Sequence, residues 1–307
     1  MTDTAIAPSP SQPPPSDGGG WEGESRSTGW TASALLGPAT IFIALCLLAP
    51  LAILLRYSVN EFEPTKKMMV EAVTIANYVQ FFTDPYYTLI LWTTVRISVL
   101  VTVACLVLGF PLAYVVARTQ SRFKNLLIIS IVLPLFVGNS VRAAGWMVVF
   151  GNKGFVNASL MALGLIDKPL EIMFTEKAVV IGIIAVNLPF MVLSLQSVIE
   201  GIDRSVEEAA FSLGAPPATM FRRVLWPLAL PGILAGIILT FILAMNAYAT
   251  PFLLGGPLFK MMAPLIYNEF TQKTNWPFGG AIAFILMTVT LLLTLTANLL
   301  LRRRAAR

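Results

Sequence analysis

Hydrophobic and polar positions do not alternate along this chain; they come in long blocks. No Asp, Glu, Lys or Arg occurs in 27–55, 97–117, 125–141, 178–199, 224–259 or 274–301. A helix crossing the hydrocarbon core of a bilayer needs about 20 apolar residues, within a range of roughly 17–25, and all six blocks are long enough. Barrel strands would give short alternating segments instead, and in lipid only helices and closed barrels satisfy every backbone polar group. The pattern therefore predicts an all-α membrane protein with about six spans, near 33–56, 89–117, 125–149, 178–199, 227–254 and 279–301.

Composition agrees. Hydrophobic residues make up 56% of the 307 positions and charged residues only 12%, about half the charge of an ordinary soluble domain. Too little polar surface remains to coat a water-soluble globule, so the lipid bilayer is the expected surrounding. Cys46 and Cys105 both fall in predicted spans and read as small apolar core residues, not a disulfide framework. The chain has no histidine, which removes His-based acid–base chemistry, His-containing triads and most zinc sites. The net charge of +5 is concentrated partly in Arg302, Arg303, Arg304 and Arg307, directly after the last span. That is a membrane-flank signal, so no nucleic-acid partner is expected.

Residues 1–31 are rich in proline and glycine and read as a disordered tail. They lack the basic start of a signal peptide, and the first apolar run begins too late and runs too long for one. The organisation expected is a cytoplasmic tail over 1–31, a first span and outer loop over 32–88, a transmembrane domain over 89–301 and a basic cytoplasmic end over 302–307. With both ends in the cytoplasm, the inner side carries Arg26, Arg118, Arg122, Lys124, Arg204, Arg222, Arg223 and the four C-terminal arginines. The outer side carries Lys66, Lys67, Lys153, Lys168, Lys177, Lys260 and Lys273, in longer loops. Positive charge is enriched on the cytoplasmic side of membrane proteins, which supports a multi-pass membrane protein with both termini inside.

The outer connections, near 57–88, 150–177 and 255–278, carry the turn signals Asp84-Pro85, Gly255-Gly256-Pro257 and Trp276-Pro277. The aromatics Phe81, Phe82, Tyr86, Tyr87, Trp92, Tyr267, Phe270, Trp276 and Phe278 read as an interfacial belt. A short amphipathic helix is expected near 75–83.

The informative segment is the inner connection 200–226. Ser205-x-x-Glu208 reads as a capping box that starts a helix at Ser205. Glu207, Glu208, Ala209 and Ala210 favour that helix, and its positive end suits the acids. Gly214 supplies a left-handed stop, and Pro216 or Pro217 starts a second short helix that Arg222 and Arg223 close. Pro227 marks entry into the next span. Phe211, Leu213, Met220 and Phe221 leave apolar surface on this device, which implies a docking partner.

Glu208-Ala209-Ala210, then Gly214, then Val224-x-Trp226-Pro227 resembles the EAA loop of the ABC importer permease family, with Val224 standing for isoleucine and Trp226 for leucine. Leu133-Pro134, Asn139-Ser140-Val141-Arg142, Gly145-Trp146-Met147, Gly164-Leu165, the run Leu230 to Gly236 and the run Thr250 to Gly256 are similar to its spermidine/putrescine-type branch. The resemblance covers roughly 90–300 and implies a type I importer permease fold. It implies a cytoplasmic ABC ATPase dimer, which binds ATP and Mg and into which the loop docks, a periplasmic substrate-binding protein and a second, related permease chain. The solute implied is polyamine-like, although relatives for iron, phosphonates and opines belong to the same branch. This sequence holds no Gly-x-x-x-x-Gly-Lys-Ser/Thr phosphate loop, so it has no visible means of using ATP, and no catalytic, metal or cofactor site is expected. Glu208 has two open readings, helix capping and direct contact with the ATPase.

Polar residues within spans are functional suspects. Asn139, Arg142, Trp146, Asn187, Asn246, Tyr248 and Thr250 are the candidates for the solute path. For Arg142 and Asn246 a structural ion pair or helix glue competes with lining that path, and Arg96 is expected to snorkel outward. Gly232-x-x-x-Gly236 is a close-packing face, and Pro50, Pro111, Pro134, Pro189, Pro231 and Pro251 are potential kinks. No carboxylate lies in any predicted span interior. A polycation would have to cross on carbonyls, neutral polar groups and aromatic rings such as Tyr248 or Trp146, or on acids from the partner chain. The same lack of acids argues against the rival reading, an ion-gradient-driven secondary transporter, and against an intramembrane enzyme.

Overall fold

The computed structural model describes residues 25–63, 70–257 and 259–305. Among them the chain forms thirteen α-helices and, apart from one isolated antiparallel bridge between Glu61 and Val70, no extended pairing. The helices are α1 Ser25–Ser58, α2 Ala76–Thr83, α3 Pro85–Arg118, α4 Lys124–Val132, α5 Asn139–Phe150, α6 Phe155–Ala162 and α7 Glu176–Glu200, followed by α8 Arg204–Ser212, α9 Pro217–Met220, α10 Trp226–Met245, α11 Ala249–Leu254, α12 Met262–Thr271 and α13 Trp276–Ala305. Five stretches are long and apolar enough to cross a membrane, and the bent pair Lys124–Phe136 and Asn139–Ala162 meets the same criterion only when its two pieces are taken together. Residues 1–24 of the expected tail, Lys66, Lys67 and the last two residues lie outside the described residues.

The chain divides into a unit up to Ile53 and a second from Leu54 onward. In the first unit the apolar helix keeps its side chains exposed, Cys46 among them, so Cys46 is not the core residue expected from the sequence. Cys105 is buried and free. The helix starts at Ser25, within the stretch expected as tail, and α13 carries Arg302 to Arg304 on helical backbone.

The second unit is built on α3, α7 and α10, which pack on one another around buried Ile97, Val101, Cys105, Met191, Leu195 and Ile233. Close approach rests on small residues: a Cβ on Gly232 would lie 2.8 Å from Cβ of Val198, and one on Gly236 would lie 2.6 Å from Sδ of Met191. A second cluster joins α2, α3, α12 and α13, where Tyr87 lies 6.0 Å from Phe81 and 4.9 Å from Phe278 between ring centroids. Phe81, Tyr87 and Phe278 are therefore core residues and not part of an interfacial belt; Phe82, Tyr86, Trp92, Tyr267 and Trp276 are the exposed ones. The short outer helix appears as α2, pinned by Nδ2 of Asn77, which donates to the carbonyls of Ser58 and Asn60 at 2.8 Å each.

Two predicted spans are not continuous. The span expected over 125–149 breaks after a 3-10 turn at Leu133–Phe136 and bends by 100°. Pro134 withholds an N–H and crowds the preceding turn, and Val137 and Gly138 take extended backbone at ψ 126° and 144°. The span expected over 227–254 ends at Met245, and α11 restarts at Ala249. Pro251 cannot extend a ladder running through Ala247, and the Asn246 side-chain amide instead donates to the carbonyl of Ile242 at 2.9 Å. The helices run on through Pro111, Pro189 and Pro231. Asp84-Pro85 and Trp276-Pro277 start helices instead of making turns.

Candidate functional site

The segment 200–226 folds as a helix–turn–helix element at the end of α7. The cap of α8 is Asp203, not Ser205: its carboxylate accepts from the Ser205 backbone N–H at 2.9 Å, and the helix begins one residue earlier than expected. That backbone bond is the main reason the Asp203 carboxyl is held below its usual value. Glu208 is exposed and is not the cap. At the other end, Gly214 has φ +78° and its N–H donates to the Phe211 carbonyl at 2.9 Å, while the Ala215 N–H reaches Ala210 at 3.1 Å. This crossed pair is the Schellman stop, which needs a residue at ease in the left-handed region.

Pro217 opens α9 at its first position, with Pro216 as its cap. The second helix is not a separate short one. It passes through a π-helical turn at Phe221–Leu225 into α10, giving a single span from Pro217 to Met245. Arg222 and Arg223 thus sit inside this span's first turns, and Pro227 lies within α10's first turn. Trp226 stacks on Phe110 of α3 at 5.7 Å, and Phe221 meets the same ring edge-on at 5.0 Å, so the larger ring at position 226 has a packing partner. Leu213 is 88% exposed and Phe211 45%, whereas Met220 is buried and contributes nothing to the outer apolar surface. Ala209 is exposed and Ala210 buried.

Glu207, an expected loop residue, turns inward. It is 7% exposed, accepts from Nε and Nη2 of Arg118 and from the Tyr114 hydroxyl at 2.9 Å. Arg118 also donates to the Ile202 carbonyl at 3.0 Å, and Arg204 donates to the Arg118 carbonyl. Lys124 pairs with Glu200 at 2.8 Å. The Glu207 contacts rivet α8 to the end of α3, and the Lys124–Glu200 pair ties the start of α4 to the end of α7. Sequence reading used Arg118 and Arg204 only as orientation charges; nothing in their spacing linked them to Glu207, which lies 89 positions from Arg118.

The two helix breaks meet at a polar cavity of about 540 Å³. It is lined by Asn139, Arg142, Asn187, Asn246, Tyr248 and Thr250, together with Leu135, Ser140 and Phe190 among others. The structure therefore brings six of the seven path candidates to one place. Trp146 is elsewhere: it stacks on Phe150 at 4.9 Å and packs against the apolar core. Ser140 and Phe190 were not singled out from sequence, because a serine and a phenylalanine in a span carry no distinguishing signal. Asn187 lies near the middle of α7, about 16 Å from one end by helical rise, so the cavity sits at mid-span. Non-helical backbone at that depth is tolerated where it lines a cavity. Tyr248, Phe252 and Tyr267 form a ring cluster beside it, with centroids 4.8–5.9 Å apart. Arg96 does not simply snorkel; it pairs with Glu176 at 2.6 Å.

Residues 91–306 match the family model described as binding-protein-dependent transport system inner membrane component. The chain belongs to that family. It is a permease subunit of an ABC importer, a multi-pass inner-membrane protein, and the family works with an ATPase, a substrate-binding protein and a second permease subunit. The spermidine/putrescine transport system permease protein PotB of Haemophilus influenzae is 37% identical over 235 residues, covering 76% of this chain and 82% of that protein. PotB of Escherichia coli K12 is 36% identical over 234 residues, covering 76% and 83%. The E. coli inner membrane ABC transporter permease protein YdcU is 31% identical over 265 residues, covering 82% and 83%. Among solved structures, a chain of the bacterial alginate ABC transporter, in complex with an alginate pentasaccharide-bound periplasmic protein, superposes with a TM-score of 0.75. It is 19% identical and covers 91% of this chain and 96% of its own, which shows the type I permease fold.

Proposed function

We propose that this chain forms one half of the membrane pathway of a polyamine importer. The observation that carries the reading is the 37% identity to a spermidine/putrescine permease across 76% of the chain. Aromatic rings at the side of the cavity offer π-faces to a cation, while Arg142 in its wall requires a counter-charge from outside this chain. In this reading both termini are cytoplasmic, and a periplasmic binding protein delivers the solute to the outer loops. A partner ATPase dimer binds ATP and Mg and receives Leu213, Phe211 and exposed Glu208 of the 203–217 element. The other half of the pathway is a related but different permease chain. Closure of the ATPase dimer moves α8, and the Glu207–Arg118 ion pair passes that motion to α3.

The test is uptake of labelled spermidine by the complex reconstituted in liposomes, with its binding protein present. Uptake that needs ATP and persists without any ion gradient supports the reading. Uptake driven by an ion gradient alone would make the protein a secondary transporter, and ATP-dependent uptake of iron, a phosphonate or an opine in place of spermidine would replace the solute.

A further inference from the structure

Two residues that line the cavity carry three buried donor atoms with no acceptor: Nε and Nη1 of Arg142 and Nδ2 of Asn187. Arg142 uses Nη2 on Oδ1 of Asn139, one turn back on the same helix, and that amide oxygen is neutral. Asn187 is 2% exposed. No Asp or Glu lines the cavity. A guanidinium stays protonated in proteins, and a buried charge is retained where a counter-charge or a full set of hydrogen bonds compensates it. Native structures leave few buried polar atoms unpaired. Here three donors gather at one cavity, and what they lack is an oxygen acceptor carrying negative charge.

Water can satisfy a donor but brings no counter-charge, so the negative acceptor comes from the solute or from a neighbouring chain. A polycation passing an uncompensated guanidinium would be repelled, most strongly in a low-dielectric setting. A protein carboxylate fixed opposite Arg142 removes this barrier and gives the orphan donors a charged acceptor. The family supplies a neighbouring permease subunit, and the bent pair that carries Arg142 also exposes Phe136, Val141 and Val148, at 86, 66 and 75%. We propose that the second permease subunit presents a carboxylate to Arg142 and Asn187, so that an ion pair between subunits completes the wall of the solute cavity. The choice of a protein acid over a solute anion rests on the polyamine reading above.

The decisive measurement is a structure of the assembled wild-type complex, without nucleotide and with ATP trapped, joined to spermidine uptake by charge-exchange variants. A carboxylate of the second subunit is expected within hydrogen-bond distance of Arg142 in at least one state. Arg142→Glu should lower uptake by about thirty-fold or more, the scale of unpairing a buried charge, and replacing the facing acid by arginine should restore most of it. If spermidine is imported but no carboxylate approaches Arg142 in either state, the ion pair is wrong and the polyamine reading stands. If spermidine is not imported and a carboxylate- or phosphate-bearing solute instead occupies Arg142, both fall.

Discussion

Oε1 of Glu207 accepts from Nε of Arg118 at 2.8 Å and from its Nη2 at 2.5 Å, joining the first turns of α8 to the last turn of α3. Both side chains are close to buried, at 9% and 13% exposure. Breaking a buried pair from one side costs about 3–5 kcal/mol, because the remaining charge loses its partner. Glu207→Gln or Arg118→Gln should therefore loosen α8 while leaving the spans inserted. Measured in the reconstituted complex, ATP hydrolysis should continue while uptake per ATP falls. Unchanged coupling in both variants would show that the pair does not transmit the motion.

Gly214 offers a cleaner test, since a Cβ there would meet nothing within 4 Å. Any cost comes from its φ of +78° alone, about 1–2 kcal/mol for an ordinary L-residue. Gly214→Val should disturb the turn and reduce ATP-driven uptake, and Gly214→Asn should do so much less, because asparagine visits the left-handed region. Equal activity of the two variants would remove the backbone argument.

The two close-packing glycines should differ. At Gly232 an added Cβ meets the rigid Cβ of Val198 at 2.8 Å and the Ser194 carbonyl at 3.2 Å, whereas at Gly236 it meets the flexible end of Met191. Gly232→Ala should cost about 1–3 kcal/mol of overpacking, and Gly236→Ala distinctly less as Met191 swings aside. Thermal unfolding of the two variants in the same detergent ranks them directly.

The cap at Asp203 carries a pH signature. Its carboxyl is held low by the Ser205 N–H, so its contribution is fully present above the unfolded value of about 3.9 and is lost as pH falls through the lower folded value. Amide protection at the start of α8, corrected for intrinsic exchange, should therefore drop only below pH 4. In Asp203→Asn, which caps without titrating, it should stay level over the same range.

The cluster Tyr248, Phe252 and Tyr267 should matter for an amine cargo. Phe252 and Tyr267 are 49% and 40% exposed, and cation–π contact in a partly desolvated setting contributes about 0.5–2 kcal/mol. Tyr267→Ala and Tyr248→Ala should slow spermidine uptake several-fold, with Tyr→Phe close to wild type. Loss in the Phe variants as well would point to the hydroxyls instead of the π-faces.

The sequence by itself determined the class of this protein. Charge-free blocks of span length force helices in lipid, and that argument needs no tertiary contact. Gly214 as the stop of α8 and a proline, Pro216 or Pro217, as the start of the next helix were legible for the same reason, since backbone freedom and its restriction are properties of single residues. What only the tertiary structure decided was partnership. Glu207 and Glu208 are neighbours of the same type, yet one is buried against Arg118 and the other is exposed, because the direction of α8 against α3 sets which face turns inward. Ser205 looked like the cap because its spacing to Glu208 fits a capping box, but the chain leaves α7 so that Asp203 reaches the free N–H first. Likewise Arg142 and Asn187, 45 positions apart, share a cavity only because two spans break at the same depth. Local sequence shows the proline that permits each break, and only the packing of α5, α7 and α10 brings the exposed polar backbone and side chains to one place.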